Sequence, residues 1–283
     1  MRAIILGAEG QLGRTLVDVL DKDFDVVGLG RKEVDITKDK MVEDAVLRYN
    51  PDVMINAAAF VDVDGAESKR DIAYRINAEA VGRLALICSR KKIRLFHYST
   101  DYVFDGEKNT PYIEEDATKP INVYGQSKVD GELIIKWVSP RYVIFRVSGL
   151  YSKYDCRGKN GVKFIDKVIK MAEEKGEIKL VEDEYCSPTY AKDVARQTAV
   201  MLKKENYNGV FHCVNLGGCS WKEFAERAFK IKKIKVNVIP VSSSEWKAAA
   251  KRPKYSVLEN KKLKNLGINV MRSWQDALED YLN

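Results

Sequence analysis

The sequence has few of the residues that build metal sites and disulfide-bonded domains. It contains two histidines, His97 and His212, and five cysteines with no Cys-x-x-Cys pair among them. A structural zinc site needs several thiolate or imidazole ligands at short spacing, and a disulfide framework needs paired cysteines. We therefore expect no metal site, reduced thiols and a cytoplasmic location.

Long apolar runs are also missing. No stretch of about 18 apolar residues occurs, and no charged-then-apolar leader precedes the first predicted strand. The 283 residues are 45% hydrophobic and 31% charged, which is ordinary for a globular protein. A chain of this length can bury one large core, so we expect a soluble protein without membrane contact.

The net charge of +7 is not concentrated in one basic block. Lysines alternate with acids at 173–175 and 203–205, and isoleucines interrupt the densest basic stretch, 230–235. A nucleic-acid site usually needs basic residues clustered on one face. The charge pattern favours an anionic small-molecule substrate over nucleic acid.

A glycine-rich turn follows the first apolar run. Gly7, Gly10 and Gly13 lie at three-residue intervals, and Leu12 and Leu16 begin the apolar face of a helix. Without a β-carbon, the first two glycines permit a tight turn and a close backbone approach to a pyrophosphate. The third lets the helix pack closely on the strand. The spacing differs from the usual Gly-x-Gly-x-x-Gly, and glycines also end strands for structural reasons.

Strand and helix patterns alternate through the first half of the chain. Apolar strands are predicted before Gly7 and at 26–27, 53–55, 93–98 and 142–147, with amphipathic helices at 42–49 and 73–88. Repeated β-α-β crossovers of this length predict an α/β fold with a doubly wound, Rossmann-type parallel sheet. Ligands bind such sheets beyond the carboxyl ends of the strands, where Asn56-Ala57-Ala58-Ala59 and Ser99-Thr100 fall.

Beyond residue 147 the predicted segments become shorter, and no low-complexity linker separates them from the sheet. We predict a dinucleotide-binding domain at 1–147, with returning segments from 187–216. Residues 148–283 are predicted to form mainly a smaller C-terminal substrate-binding lobe.

A threonine, a tyrosine and a lysine provide candidate chemistry at the predicted sheet edge. Tyr124 and Lys128 stand four apart, so on a helix they share a face, and Thr100 ends a predicted strand. A free phenol titrates near pH 10, and a neighbouring ammonium would lower its pKa towards the range of efficient proton transfer. By itself, a Tyr-x-x-x-Lys pair also occurs by chance.

The chain resembles the extended short-chain dehydrogenases and, within them, the dTDP-4-dehydrorhamnose reductase family. The matching segments run in the family's order through nearly the whole sequence. They are GAEGQLG at Gly7, PDVMINAAA at Pro51, INAEAV at Ile76, HYSTDYVFDG at His97, PINVYGQSK at Pro120, SPTYAKDVA at Ser187 and KRPKYSVL at Lys251. Colinearity of this kind is stronger evidence than any single motif.

The resemblance implies an oxidoreductase of nucleotide-sugar biosynthesis. Its members transfer a hydride from NAD(P)H to the 4-keto carbon of a dTDP-linked 6-deoxyhexulose, which yields dTDP-L-rhamnose. Tyr124 would protonate the developing alkoxide, Lys128 would bind the nicotinamide ribose, and Thr100 would orient the carbonyl.

The resemblance also implies two sets of binding residues. The cofactor set is Gly7, Gly10, Gln11, Leu12, Gly13, Arg31, Asp35, Ile36, Ala57, Ala58, Ala59, Tyr98, Tyr124 and Lys128. The substrate set is Val61, Thr100, Asp101, Ser148, Gly149 and Arg252. The stretch Gly30-Arg31-Lys32 favours NADP(H), since a base there accommodates a 2′-phosphate, and NAD(H) use stays open.

Several of these residues have structural interpretations as well. Thr100 could cap the next turn, Asp35 could begin a helix, and Arg252 could lie on the surface. Asn77 could either hold the backbone or join a proton relay.

The chain departs from the family at two places. Gly149 stands where familiar members have a tryptophan that packs against the sugar, so the sugar itself is left open. Arg14-Thr15 occupies the region in which some members carry an acid for a magnesium-linked dimer. We therefore assign no metal, and a different homodimer is left open.

One alternative comes from another functional class. The resemblance extends to the regulatory β subunit of methionine adenosyltransferase, which keeps the fold and a nucleotide site. An epimerase, a dehydratase or a reductase of another nucleotide sugar are further alternatives. The presence of Thr100, Tyr124 and Lys128 together favours the reductase.

Overall fold

The protein is described by a computed structural model that covers residues 1–156, 163–245 and 247–283. Its strands are β1 (Arg2–Leu6), β2 (Asp25–Leu29), β3 (Val53–Asn56), β4 (Arg94–Thr100), β5 (Tyr142–Val147), β6 (Leu150–Tyr151), β7 (Glu177–Val181), β8 (Tyr185–Cys186), β9 (Thr189–Tyr190), β10 (Gly209–His212), β11 (Cys219–Ser220) and β12 (Asn237–Val241). Its helices are α1 (Gln11–Leu20), α2 (Asp39–Tyr49), α3 (Val63–Ser68), α4 (Arg70–Tyr74), α5 (Ala80–Lys91), α6 (Val123–Val138), α7 (Phe164–Lys175), α8 (Ala191–Leu202), α9 (Trp221–Lys232), α10 (Lys261–Asn265) and α11 (Trp274–Leu282).

Six of the described strands form one parallel sheet in the order β10-β5-β4-β3-β1-β2. Every residue of β3 and β4 is buried, as expected of strands covered on both faces. The chain leaves β1 for β2 on one side and then crosses to β3 on the other. This reversal places a crevice beyond the carboxyl ends of β1 and β3.

Helices cover both faces of the sheet. On one face, apolar residues of α1 and α8 share a core with alternate residues of the central strands. On the other face, residues of α2, α5 and α6 pack against the intervening residues. The prediction of a doubly wound α/β fold is confirmed.

The predicted helix at 73–88 is interrupted. Between α4 and α5 the chain forms a π-helical turn, Arg75–Glu79, that includes Asn77. The Asn77 amide accepts from Phe60 N at 2.9 Å, and it donates to Phe60 O and to Ser127 Oγ at 3.0 Å each. These bonds tie the loop after β3 to α6, which is the structural interpretation of Asn77. The apolar spacing alone could not reveal the extra residue of the π turn.

The later elements form a second apolar cluster. Buried residues of α7, α9, α11 and β7 pack together, and β7 pairs with β12. Helix α8 and strand β10 instead return to the layers of the large sheet. The domain boundaries given above stay a prediction.

None of the described helices has both the length and the apolar character needed to cross a membrane. Within the same described residues, no group of three or more His, Cys, Asp or Glu side chains is placed to hold a metal ion.

Candidate active site

A cleft of about 530 Å³ lies at the carboxyl edge of the sheet, between the sheet and the second cluster. Most of the predicted site residues line it together. These are Gly7, Gly10, Gln11, Leu12, Arg31, Ala57, Ala58, Ala59, Val61, Tyr98, Thr100, Asp101, Tyr124, Lys128 and Gly149. Gly13, Asp35, Ile36, Ser148 and Arg252 lie outside this lining.

The glycine turn is built so that backbone approaches backbone. Gly7 has a φ of +75°, and a β-carbon there would lie 2.8 Å from Ala58 N. A β-carbon on Gly13 would lie 2.1 Å from Gly7 O, so Gly13 serves the close contact between α1 and β1. No side chain caps the first amides of α1 at Gly10. Helix N-terminal amides that no side chain caps, beside a side-chain-free cradle, fit a dinucleotide pyrophosphate.

Of the predicted cofactor residues after β2, Arg31 lines the cleft, and Asp35 and Ile36 lie behind it. The Arg31 side chain is 79% exposed and lies 3.5 Å from Asp35 Oδ2. Asp35 Oδ1 accepts from the amide and the hydroxyl of Thr37, which is the behaviour of a turn former. Ile36 is buried in the core with Val34. Arg31 is therefore the residue of this segment that can reach a ligand in the cleft.

Tyr124 occupies the first turn of α6, where Asn122 Oδ1 caps the helix by accepting from Gly125 N at 2.7 Å. Its ring is half-buried and meets the Tyr102 ring edge-on, with centroids 5.9 Å apart. Burial raises the pKa of the Tyr124 phenol, and the Thr100 side chain partly opposes this shift. At neutral pH the phenol therefore holds its proton and can donate it.

Lys128 does not act on Tyr124 as we expected. Lys128 Nζ donates to Tyr98 O at 2.6 Å and lies 3.2 Å from His97 Nε2. Burial lowers the pKa of Lys128 to about 8, an effect that the charge of Glu132 partly opposes. The expectation of a lowered pKa at Tyr124 is not met, because the ammonium is directed at β4 and desolvation dominates the phenol.

Three hydroxyl groups converge on the buried carboxylate of Asp101. Thr100 Oγ1 donates to its Oδ1 at 3.0 Å, while Ser148 Oγ and Ser256 Oγ donate to its Oδ2 at 2.8 and 2.6 Å. Burial nevertheless raises the pKa of Asp101. Ser148 thus supports Asp101 from behind the cleft wall, and Asp101 fixes the direction of the Thr100 hydroxyl. Thr100 also accepts from Tyr102 N at 3.2 Å, as its capping interpretation requires.

Aromatic side chains that sequence reasoning missed form the far part of the cleft. The Phe164 and Trp221 rings stack at a tilt, with centroids 4.6 Å apart. A β-carbon on Gly149, whose φ is +50°, would lie 3.3 Å from Cη2 of Trp221. The indole therefore stands beside the position where the family's tryptophan would begin.

Other residues of the cleft were not in the predicted set. They are Glu9, Val63, Ser99, Tyr102, Val147, Leu150, Tyr151, Cys156, Lys163, Ile165, Glu184, Tyr185, Cys186, Phe224, Pro253 and Ser256. Glu9, Ser99, Tyr102, Pro253 and Ser256 lie inside the motif segments quoted above, and most of the others come from distant segments with no shared spacing. The signal that could have been followed is the number of aromatic residues after Val147.

The Arg252 guanidinium forms an ion pair with Asp64 and is not free to bind a ligand in this arrangement. Its guanidinium donates to Asp64 Oδ2 at 2.7 Å and to Asp64 Oδ1 at 3.2 Å, and the side chain is 25% exposed. Asp64 belongs to α3, so this ion pair joins the C-terminal segment to the rim of the sheet crevice. The next residue, Pro253, lines the cleft.

A doubly wound sheet with a glycine turn at its switch point, and a threonine, tyrosine and lysine beside it, defines an extended short-chain dehydrogenase. The family described as the RmlD substrate binding domain matches residues 1–283, and the chain belongs to it. The resemblance noted from the sequence motifs is thereby confirmed.

Individual relatives match over their full length. The chain is 38% identical to dTDP-4-dehydrorhamnose reductase of Burkholderia thailandensis, over 98% of this chain and 97% of that protein. It is 36% identical to the spore coat polysaccharide biosynthesis protein SpsK of Bacillus subtilis, over 99% and 96%. The crystal structure of dTDP-4-dehydrorhamnose reductase from Bacillus anthracis in complex with NADP has a TM-score of 0.94 and 39% identity, covering 99% of this chain and 98% of that one.

Proposed function

We propose that the protein is an NADPH-dependent reductase that converts dTDP-4-dehydrorhamnose to dTDP-L-rhamnose. The observation that carries this proposal is the convergence of the glycine turn, Thr100, Tyr124 and Lys128 on one cleft. Two of the relatives reported above, which match over nearly their full length, bear the name dTDP-4-dehydrorhamnose reductase. NADP(H) is the preferred cofactor, and NAD(H) stays a second choice.

The glycine cradle and the α1 amides would hold the pyrophosphate, and Ala57, Ala58 and Ala59 would lie along the cofactor. Gln11 and Leu12 belong to the same turn. Arg31 would contact the 2′-phosphate, since it is the exposed cation in the cleft after β2. When bound, the reduced nicotinamide supplies the hydride. Asp35 and Ile36 would shape the adenine end from behind Arg31.

Tyr124 is proposed as the proton donor to the sugar oxygen, because its phenol is protonated and faces Thr100. In this structure the Thr100 hydroxyl donates to Asp101. A carbonyl oxygen that enters beside Thr100 would compete with the carboxylate for that proton. Lys128 keeps one direction of its amine available towards the cleft, while Tyr98 O and His97 take the others.

The sugar would lie between Val61, Asp101 and Gly149, with Trp221 as the aromatic wall that Gly149 does not supply. Arg252 is proposed to reach a nucleotide phosphate, for which it would have to leave Asp64. Residues 148–283 would thus bind mainly the substrate, and residues 1–147 with 187–216 mainly the cofactor.

The setting of the enzyme is part of the same proposal. Its five cysteines are free, which suits a reducing cytoplasm. A homodimer is supported by exposed apolar residues on the neighbouring helices α5 and α6, namely Leu86, Leu133 and Trp137. The interspersed charges argue against nucleic acid as a partner.

The test is NADPH oxidation with dTDP-4-dehydrorhamnose, compared between the unmodified protein, Tyr124→Phe and the remote control Tyr49→Phe. Loss of the phenol proton should lower kcat by a factor of about 10² to 10⁴ without a change in folding or NADPH binding. Tyr49→Phe should behave as the unmodified protein. Tight NADPH binding without turnover in the unmodified protein would favour the regulatory-subunit alternative, and a fully active Tyr124→Phe would reject the proton-donor role.

A further inference from the structure

His97 is a buried polar residue in the central strand β4, with 1% of its surface exposed. Each of its two ring nitrogens faces another polar side chain. Nδ1 is 3.1 Å from Asn56 Nδ2, and Nε2 is 3.2 Å from Lys128 Nζ. The line Asn56–His97–Lys128 therefore runs from the end of β3 to the amine in the cleft.

The hydrogens in this line can be counted. Asn56 Oδ1 accepts from Ala58 N at 3.1 Å, so the Asn56 amide presents its N–H₂ to His97. A neutral imidazole carries one N–H, and the nitrogen that accepts from Asn56 must be the bare one. His97 then carries its proton on Nε2 and directs it at Lys128 Nζ.

An ammonium has three donors and no acceptor, whereas a neutral amine has a lone pair. An Nε2–H therefore pairs well with the amine form of Lys128 and poorly with the ammonium. The ammonium form would require the other tautomer and a reversed Asn56 amide, which would turn an N–H₂ towards the Ala58 amide. Two donors would then face each other in a buried place.

We propose that His97 is a positioning residue that sets the protonation state of Lys128, and that Asn56 selects the tautomer through which it does so. Ala58 lines the cleft, so the same line links the cofactor wall to the amine. The kinetic consequences depend on the proposed role of Lys128 in reduction. The tautomer itself does not depend on any activity.

The titratable and charged groups near Lys128 come from α6, from β5, and from β4 with the turn after it. On its own helix, Glu132 raises the pKa of Lys128, and Tyr124 lies one turn before it. From β5, Arg146 donates to both oxygens of Glu132, at 2.9 and 2.7 Å, and so balances its charge. From β4 and the turn after it come His97, Tyr98 and the buried Asp101. Burial lowers the pKa of His97 well below its ordinary value, so His97 stays neutral whichever form Lys128 takes.

The tautomer is measured directly in proton–nitrogen correlation spectra of the protein labelled on its histidine ring nitrogens. The protein has two histidines, and the second is an internal reference of opposite kind. His212 Nδ1 lies 3.1 Å from Glu259 O, which requires the hydrogen on Nδ1. The variant His212→Asn keeps a donor to that carbonyl and assigns the signals.

We expect one ring with its hydrogen on Nε2 and the other with its hydrogen on Nδ1 at about pH 9.5, where Lys128, whose pKa is lowered to about 8, is an amine. We also expect that neither ring becomes cationic at about pH 5.5, where an ordinary histidine would. A His97 ring with its hydrogen on Nδ1, or one that titrates at its ordinary pKa, overturns the proposal even if the enzyme is fully active.

The kinetic arm uses Asn56→Asp, alone and combined with His97→Gln. A carboxylate at position 56 accepts from both Ala58 N–H and Nδ1–H, which frees Nε2 to accept from the ammonium. The alkaline limb of the kcat/KM profile should then move upward by about one pH unit. In the His97→Gln background the tautomer link is absent, so a smaller shift from the direct charge effect should remain.

An equal shift of the alkaline limb in both backgrounds would reject the link through His97. Thermal unfolding of each variant shows whether it folds. His97→Gln alone should keep most of its activity, since the amide still offers Lys128 a partner. If the variants with aspartate do not fold, the ring-nitrogen spectra of the unmodified protein decide.

Discussion

The two halves of the cleft are built from different parts of the chain. The half proposed to bind the cofactor (the cofactor half) is mostly backbone: Gly7, Gly10 and the three alanines after β3 bring main-chain atoms to its surface. The half proposed to bind the substrate (the substrate half) is mostly side chain, with Trp221 and Phe164 forming its far wall. Backbone shape depends on local spacing, whereas an aromatic wall depends on how distant segments pack. We therefore expect substitutions that add atoms to a glycine to disturb the cofactor half most, and substitutions that remove aromatic atoms to disturb the substrate half most.

The largest effect is expected from one added methyl group in the cofactor half, Gly13→Ala. The new β-carbon would lie 2.1 Å from Gly7 O, a backbone atom that cannot move without displacing the turn. We expect a loss of about 3 kcal/mol of folding free energy and of most NADPH affinity. Thermal unfolding and fluorescence titration with NADPH measure both.

Gly176→Ala is the control without a collision. Gly176 has a positive φ, +67°, which Gly13 does not have, and nothing lies within 4 Å of its added β-carbon. Only the strain of the left-handed backbone remains, about 1 kcal/mol, and cofactor affinity should not change. Equal losses in the two variants would contradict the collision at Gly13.

The difference between local backbone shape and long-range side-chain packing also explains which parts of the structure the sequence predicts. The glycine intervals and the apolar periods predicted the parallel sheet, the glycine turn and the sheet edge at which the cleft lies, because each depends on neighbours in the chain. The positions of Asp35 and Ile36 outside the cleft lining were not predictable from the motif. A residue that forms a turn or packs in the core can stand at the same motif position as one that contacts a ligand, so the motif does not distinguish them.

Most of the substrate half could not be predicted from the sequence. Trp221 reaches Gly149 across more than 70 residues, and no periodic pattern connects them. His97 did carry a signal that was not used, since an imidazole inside a strand expected to be buried needs hydrogen-bond partners. The Arg252–Asp64 pair joins residues 188 apart, which only the folded chain can bring together.

A smaller effect is expected at the rim of the cofactor half, from Arg31→Ser. The arginine is largely exposed, so its removal should leave folding unchanged. Loss of charge-assisted hydrogen bonds to a 2′-phosphate should weaken NADPH binding by about 10- to 100-fold and leave NADH binding nearly unaltered. Titration with each nucleotide, beside the exposed neighbour variant Lys32→Ser, gives the answer. Equal weakening for both nucleotides would remove Arg31 from the 2′-phosphate site.

In the substrate half, Trp221→Leu removes aromatic contact area beside Gly149. We expect KM for the nucleotide sugar to rise by about tenfold, with kcat less affected, because in the proposed arrangement the wall binds the substrate and does not touch the reacting atoms. Trp137→Leu is the control, since that indole is 89% exposed on α6. A change in kcat alone would place Trp221 in the chemistry and not in binding.

The smallest effect is expected at the ion pair that closes the rim between the two halves. Asp64→Asn weakens a partly exposed pair, so stability should fall by no more than about 1 kcal/mol. If Arg252 binds a nucleotide phosphate, its release from Asp64 should lower KM for the nucleotide sugar a few-fold. Arg252→Met should raise KM in either background, because the cation is then gone. A higher KM in Asp64→Asn would mean that Asp64 holds Arg252 in its working position, and the pair would then belong to the binding site itself and not compete with it.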